Sequence, residues 1–126
     1  MIWLTPRELL VIRRHVTERL PIRSGIVNPA AIYSAVRRPF TSFGGHDLYP
    51  TLHDKVAALI HSLIAFHPFA EGNESTALLA GDVCLRLNGR RLQPAADLAA
   101  FMRSIARGER DVPAIAGWLE SSSVSL

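Results

Sequence analysis

The stretch of this chain best equipped for chemistry is His67-Pro68-Phe69-Ala70-Glu71-Gly72-Asn73. It puts an imidazole, a carboxylate and an amide on one short segment. Histidine exchanges a proton near neutral pH and can take the proton of a hydroxyl group. Glu71 offers oxygen ligands suited to a hard cation such as Mg²⁺. Gly72 lets the backbone approach a ligand closely. A helix opening just beyond this segment would add unpaired N–H groups and a dipole that attract anions. By spacing alone, the same residues also suit a helix stop followed by an exposed turn.

The elements on either side must position these groups. Leu52, Val56, Leu59, Ile60, Leu63 and Ile64 recur at three and four residues and predict a core helix over about 51–66. Pro68 disfavours helical geometry at His67, so the helix stops there. Its phase sets His67 near the apolar face of Ile60 and Leu63, which predicts an inward-turned ring. A second helix is predicted over 74–87, with Ala80, Val83, Cys84 and Leu87 as its buried stripe and Asn88-Gly89 closing it.

Upstream, Thr5-Pro6-Arg7-Glu8 reads as a capping box opening a helix to about Leu20, and Asn28-Pro29 opens a short one to Val36. Residues 37–50 hold Gly, Pro and three aromatics with no helical period, as a loop or short hairpin would. Further helices are expected from about Pro94 to Gly108 and from Asp111 to Leu119. The reading is an all-α single domain over residues 1–120, with 121–126 as a frayed C-terminal tail.

Composition narrows the function classes. A chain of 126 residues that is 48% hydrophobic can bury a core without disulfides, and its single cysteine, Cys84, excludes an internal disulfide or a multi-cysteine zinc site. No uncharged run approaches membrane-spanning length, and the N-terminus lacks the pattern of a signal peptide, so a cytoplasmic protein is expected. The net charge of +3 comes from arginine pairs scattered along the chain rather than a basic run, which makes nucleic acid an unlikely partner. His15, His46, His53 and His61 lack metal-ligand spacing and read as structural.

The segment His67-Pro68-Phe69-Ala70-Glu71-Gly72-Asn73 resembles the signature loop of Fic proteins, His-x-Phe-x-(Asp/Glu)-Gly-Asn-x-Arg. The stretch from Gly44 to Lys55, the Leu85-Arg86-Leu87-Asn88-Gly89 segment and the Asp111–Leu119 ending are similar to its death-on-curing (Doc) branch. The resemblance implies a compact helical fold with a flap before the loop. It also implies that His67 is a general base on a target hydroxyl, that Phe69 anchors the loop and that Glu71 holds Mg²⁺ on the phosphates of ATP. Gly72, Asn73 and the helix start at Glu74 and Ser75 would bind the anion. The flap, roughly residues 38–48, would align a protein target. Members of that branch resemble phosphotransferases that modify a translation factor and are held in check by an antitoxin.

The departure is equally plain. Where Doc-like chains read Asn-Lys-Arg, this one reads Asn73-Glu74-Ser75, and the motif's own charge, from Glu71 and Glu74, is negative. Losing one preorganised phosphate donor costs ~3–4 kcal/mol, and a nearby carboxylate adds repulsion of roughly 1–4 kcal/mol. ATP should therefore bind weakly. Three readings follow: a transferase with another cation, such as Arg37 or Arg38, in place of the lost one; a repurposed enzyme using His67 and Glu71 on a small non-nucleotide substrate; or a noncatalytic binding protein.

Overall fold

Thr5 starts the first helix as its residue type dictates. Its hydroxyl accepts from the Glu8 N–H, and the Glu8 carboxylate accepts from the Thr5 N–H, so two otherwise orphaned donors are satisfied at the head of α1 (Pro6–Arg19). The computed structural model describes residues 1–126. After α1 come α2 (Pro29–Arg37) and a single 3-10 turn at Arg38–Phe40. A small antiparallel hairpin follows, β1 (Ser42–Phe43) with β2 (His46–Asp47), and fulfils the short-hairpin expectation for this segment. Beyond it lie α3 (Leu52–Ala65), α4 (Asn73–Leu87), β3 (Arg90–Leu92), α5 (Leu98–Ala106), α6 (Val112–Ser122) and β4 (Ser123–Ser125). The domain is helical, with only these short strands.

α3 is the central element, packed by α2, α4, α5 and α6. Val56, Ala57, Ala58, Leu59 and Leu63 are fully buried, which is why its sequence is apolar nearly all round. α4 approaches it closely at Gly81, where an added Cβ would lie 2.7 Å from Ile60 Cδ1. Ala77, Ala80, Cys84 and Leu85 complete that seam, while Leu87 turns outward. Burial pushes the Cys84 thiol up to about 12, so it packs as a small apolar group. Asp82 holds Arg86 at 2.8 Å on the outer face and also accepts from the Leu92 N–H.

Several boundaries differ from the sequence reading. Asn28 makes no side-chain cap, and α5 begins only at Leu98. The larger correction is the C-terminus. Residues 121–126 are not a frayed tail, because α6 runs on to Ser122 and β4 pairs with β3, matching Leu92 to Ser123 and Arg90 to Ser125. Ser123 is buried, its hydroxyl 2.9 Å from His53 Nε2, and Arg90 donates to its carbonyl at 3.0 Å. A three-residue strand has no period to read, and its partner lies 33 residues away.

This clip makes stability pH-dependent. Burial, then the nearby Arg90 charge, lowers the His53 pKa below its ordinary 6.5; burial and Arg38 do the same at His61. The folded state thus holds both rings neutral, while the unfolded chain takes up protons as pH falls through 6.5. Their contribution is complete above that pH and is lost as pH drops through the lowered folded values. Thermal melts should show a falling midpoint below about pH 6.5, and His53→Gln should flatten the slope; an unchanged slope in that variant would remove His53 from the account.

Candidate functional site

α3 ends at Ala65 and Phe66 caps it, leaving His67 just past the helix with φ of +51°. This left-handed position usually belongs to glycine or asparagine, and a β-carbon there costs about 1–2 kcal/mol. It also reverses the helical phase. His67 is therefore exposed, not turned inward toward Ile60 and Leu63, and the sequence expectation fails because helical phase does not extend through a left-handed residue.

The loop is fastened below. Phe69 is fully buried, and the Asn73 amide brackets its backbone: Oδ1 accepts from the Phe69 N–H at 3.1 Å and Nδ2 donates to its carbonyl at 2.9 Å. The Arg23–Asn28 segment runs alongside, with Ala70 N–H donating to Gly25 O and Val27 N–H to Pro68 O. Those bonds fix the orientation of Asn73, so Nδ2 also faces His67 Nδ1 at 3.2 Å. Nδ1 must then accept, and the neutral ring carries its proton on Nε2.

His67 shares a cavity of about 380 Å³ with Gly72, Asn73, Glu74 and Ser75, walled by Ile64 and Ala106. Gly72 precedes α4 with φ of +74° and gives no side-chain cap, and the N–H groups of Asn73, Glu74 and Ser75 find no acceptor in the protein. Those donors and the helix dipole favour an anion. Glycine suits this position twice over, by the positive φ and because a Cβ would press on Ile22 Cδ1 and lie 3.0 Å from Arg13 Nη1.

Glu71 goes elsewhere. Its Oε2 accepts from the Arg23 backbone N–H at 2.9 Å and its Oε1 from Arg23 Nε at 3.0 Å. These two bonds, in that order, hold its carboxyl below the usual range. It does not line the His67 cavity, so His67 and Glu71 are not assembled as an acid–base pair. Each oxygen accepts one bond from Arg23 and keeps a further lone pair, so Glu71 is the residue that would hold a hard cation such as Mg²⁺, outside the lining of the His67 cavity.

The arginines were misjudged from sequence. Arg38 is taken up by Tyr49 Oη, His61 Nδ1 and Ser62 Oγ at 3.1, 2.9 and 3.0 Å, and does not line the cavity. The cations beside the loop are Arg23 and Arg13 instead. Arg13 is 4% exposed, stacks on Phe69 at 4.5 Å, and donates to Thr76 Oγ1 at 3.2 Å and Arg23 O at 3.0 Å. An arginine on the apolar stripe of α1, one residue after Ile12, was the available signal. The motif's apparent charge of two negatives is thereby offset by two positives from outside it.

Fold and cavity together define a helical domain in which an imidazole and an uncapped helix N-terminus line one cavity. The chain belongs to the Fic/DOC family, whose sequence model matches residues 3–85. It is similar to Toxin Doc of Mycolicibacterium smegmatis (strain ATCC 700084 / mc(2)155), at 37% identity over 89 residues, covering 68% of each chain. No helix is long and apolar enough to cross a membrane.

Proposed function

We propose that this chain is a Doc-type transferase of toxin–antitoxin ancestry, weakened at its phosphate-binding positions. The observation that carries the reading is that His67 and the uncapped first turn of α4 face one cavity. A phosphate-bearing donor such as ATP would set its oxygens against the N–H groups of Asn73, Glu74 and Ser75. A target hydroxyl beside His67 would attack the γ-phosphorus as the imidazole receives its proton, the bond from that phosphorus to the bridging oxygen breaks, and ADP leaves with the electron pair. The only free ring lone pair faces Asn73, so that 3.2 Å contact must open for the proton to be accepted. Glu74 repels the donor, and Ser75 brings no charge to hold it.

The flap suits a protein target. Phe43 is 81% exposed at the tip of the β1–β2 hairpin, and both strands have an unpaired outer edge. An antitoxin is the second expected partner, in keeping with the toxin relative. A noncatalytic binding role is the competing reading, favoured by the Arg23 grip on Glu71 and by the proton on Nε2.

The test is transfer of label from γ-labelled ATP to proteins of a bacterial lysate, with growth measured on expression. The full chain should label a protein slowly, His67→Ala should abolish it, and calorimetry should give ATP affinity weaker than micromolar. Absence of labelling with intact anion binding would install the noncatalytic reading.

A further inference from the structure

One buried group is unexplained by packing. Arg13 Nε is the one buried side-chain nitrogen or oxygen with no hydrogen-bond partner. Buried donors are almost always satisfied, and an arginine kept from water without an acceptor is costly. Its Nη1 and Nη2 brace Thr76 and the Arg23 carbonyl, but that bracing needs donors and not a positive charge. The Glu71 charge reaches Arg13, but its two oxygens bond Arg23 and give Arg13 no hydrogen bond. The guanidinium lies beside Gly72, the N-cap of α4 and part of the cavity wall: a Cβ built there would sit 3.0 Å from Arg13 Nη1. Thr76, which it holds, in turn donates to Gly72 O at 2.8 Å.

We propose that Arg13 is the cation that charges the anion seat at the α4 N-terminus, so that the cavity beside His67 takes a phosphate or pyrophosphate group despite Glu74. This rests on the anion-binding reading given above. The seat has the α4 dipole and N–H donors on its surface, the Glu74 carboxylate in its lining, and the buried Arg13 charge behind Gly72. A charge behind a low-dielectric wall acts on a ligand it does not touch, because little water lies between to screen it. Arg13 is thus a positioning and field residue, acting through the first turn of α4.

Pyrophosphate titrated by calorimetry into the full chain is the test. Arg13→Gln, which keeps polar atoms but loses the charge, should weaken binding by about tenfold or more. Arg13→Lys should stay within about threefold of the parent. Thr76→Val removes the bracing partner and keeps the charge; it should lower the melting temperature yet leave pyrophosphate affinity unchanged. A folded Arg13→Gln chain that binds like the parent would overturn the proposal and spare the anion-seat reading. Thr76→Val losing affinity as much as Arg13→Gln would reduce Arg13 to a brace and overturn it too. If the parent chain itself binds no pyrophosphate, both fail. Should Arg13→Gln not fold, the Arg13 Nε–H resonance of the parent decides: it should shift and saturate with the calorimetric affinity, and a static resonance would sink the idea.

Discussion

Replacing Glu74 by Lys and Ser75 by Arg together should raise phosphate transfer by on the order of a hundredfold. Both residues open α4 and line the same cavity as His67, so new side chains there reach the ligand without rebuilding a pocket. The helix N-terminus already directs N–H groups at that space, and added cations reinforce the dipole. One well-placed donor is worth ~3 kcal/mol in the transition state, and removing the Glu74 charge lifts a repulsion in addition. His67→Ala in the doubly substituted chain should erase the gain, since the hydroxyl proton then has no acceptor. Labelled-phosphate transfer in lysate and growth arrest on expression are the readouts. A double variant that neither labels protein nor slows growth would show that the pocket differs beyond these two positions.

Phe69→Ala should destabilise the fold by about 3–5 kcal/mol, the cost of emptying a fully buried aromatic site. Phe69 is 0% exposed, lies under the Arg13 guanidinium, and carries the backbone groups that orient Asn73. The cavity left behind would remove the surface on which Arg13 stacks, and with it the base of the loop. For a domain of this size the melting temperature should fall by roughly 10 °C or more. Phe43→Ala, at an exposed flap tip, should stay within about 0.5 kcal/mol of the parent. A Phe69→Ala chain melting within a few degrees of the parent would mean that the loop is held by its backbone bonds alone.

The legible part of the molecule was local. Thr5 with Glu8 predicted a capping box and the structure has it; the apolar repeat from Leu52 to Ile64 predicted the core helix. The motif loop, its place between α3 and α4 and the hairpin after α2 were readable because each depends on residues within a few positions of one another, and the family because several such short segments occur in order along the chain. Trp3 packs on Phe40 and Trp118 stacks on Phe101, each near an end of the chain.

What only the tertiary structure decided is where the charges and the ring of the site go. Glu71 and Arg23 are 48 residues apart, Arg13 and Thr76 are 63, and His53 and Ser123 are 70. Each pairing trades desolvation against a partner that folding alone brings near, and nothing in residue type or period encodes the choice. His67 shows the same limit at short range. Its type and place marked it as the reactive group, but a single left-handed dihedral, imposed where α3 stops before Pro68, turned its ring to the cavity and not to the core. The chain's local chemistry determined the helices and the loop. Long-range packing determined which carboxylate is tied down and which arginine is buried beside Gly72, while the Asn73 amide, only six residues from His67, set which nitrogen of the histidine holds the proton.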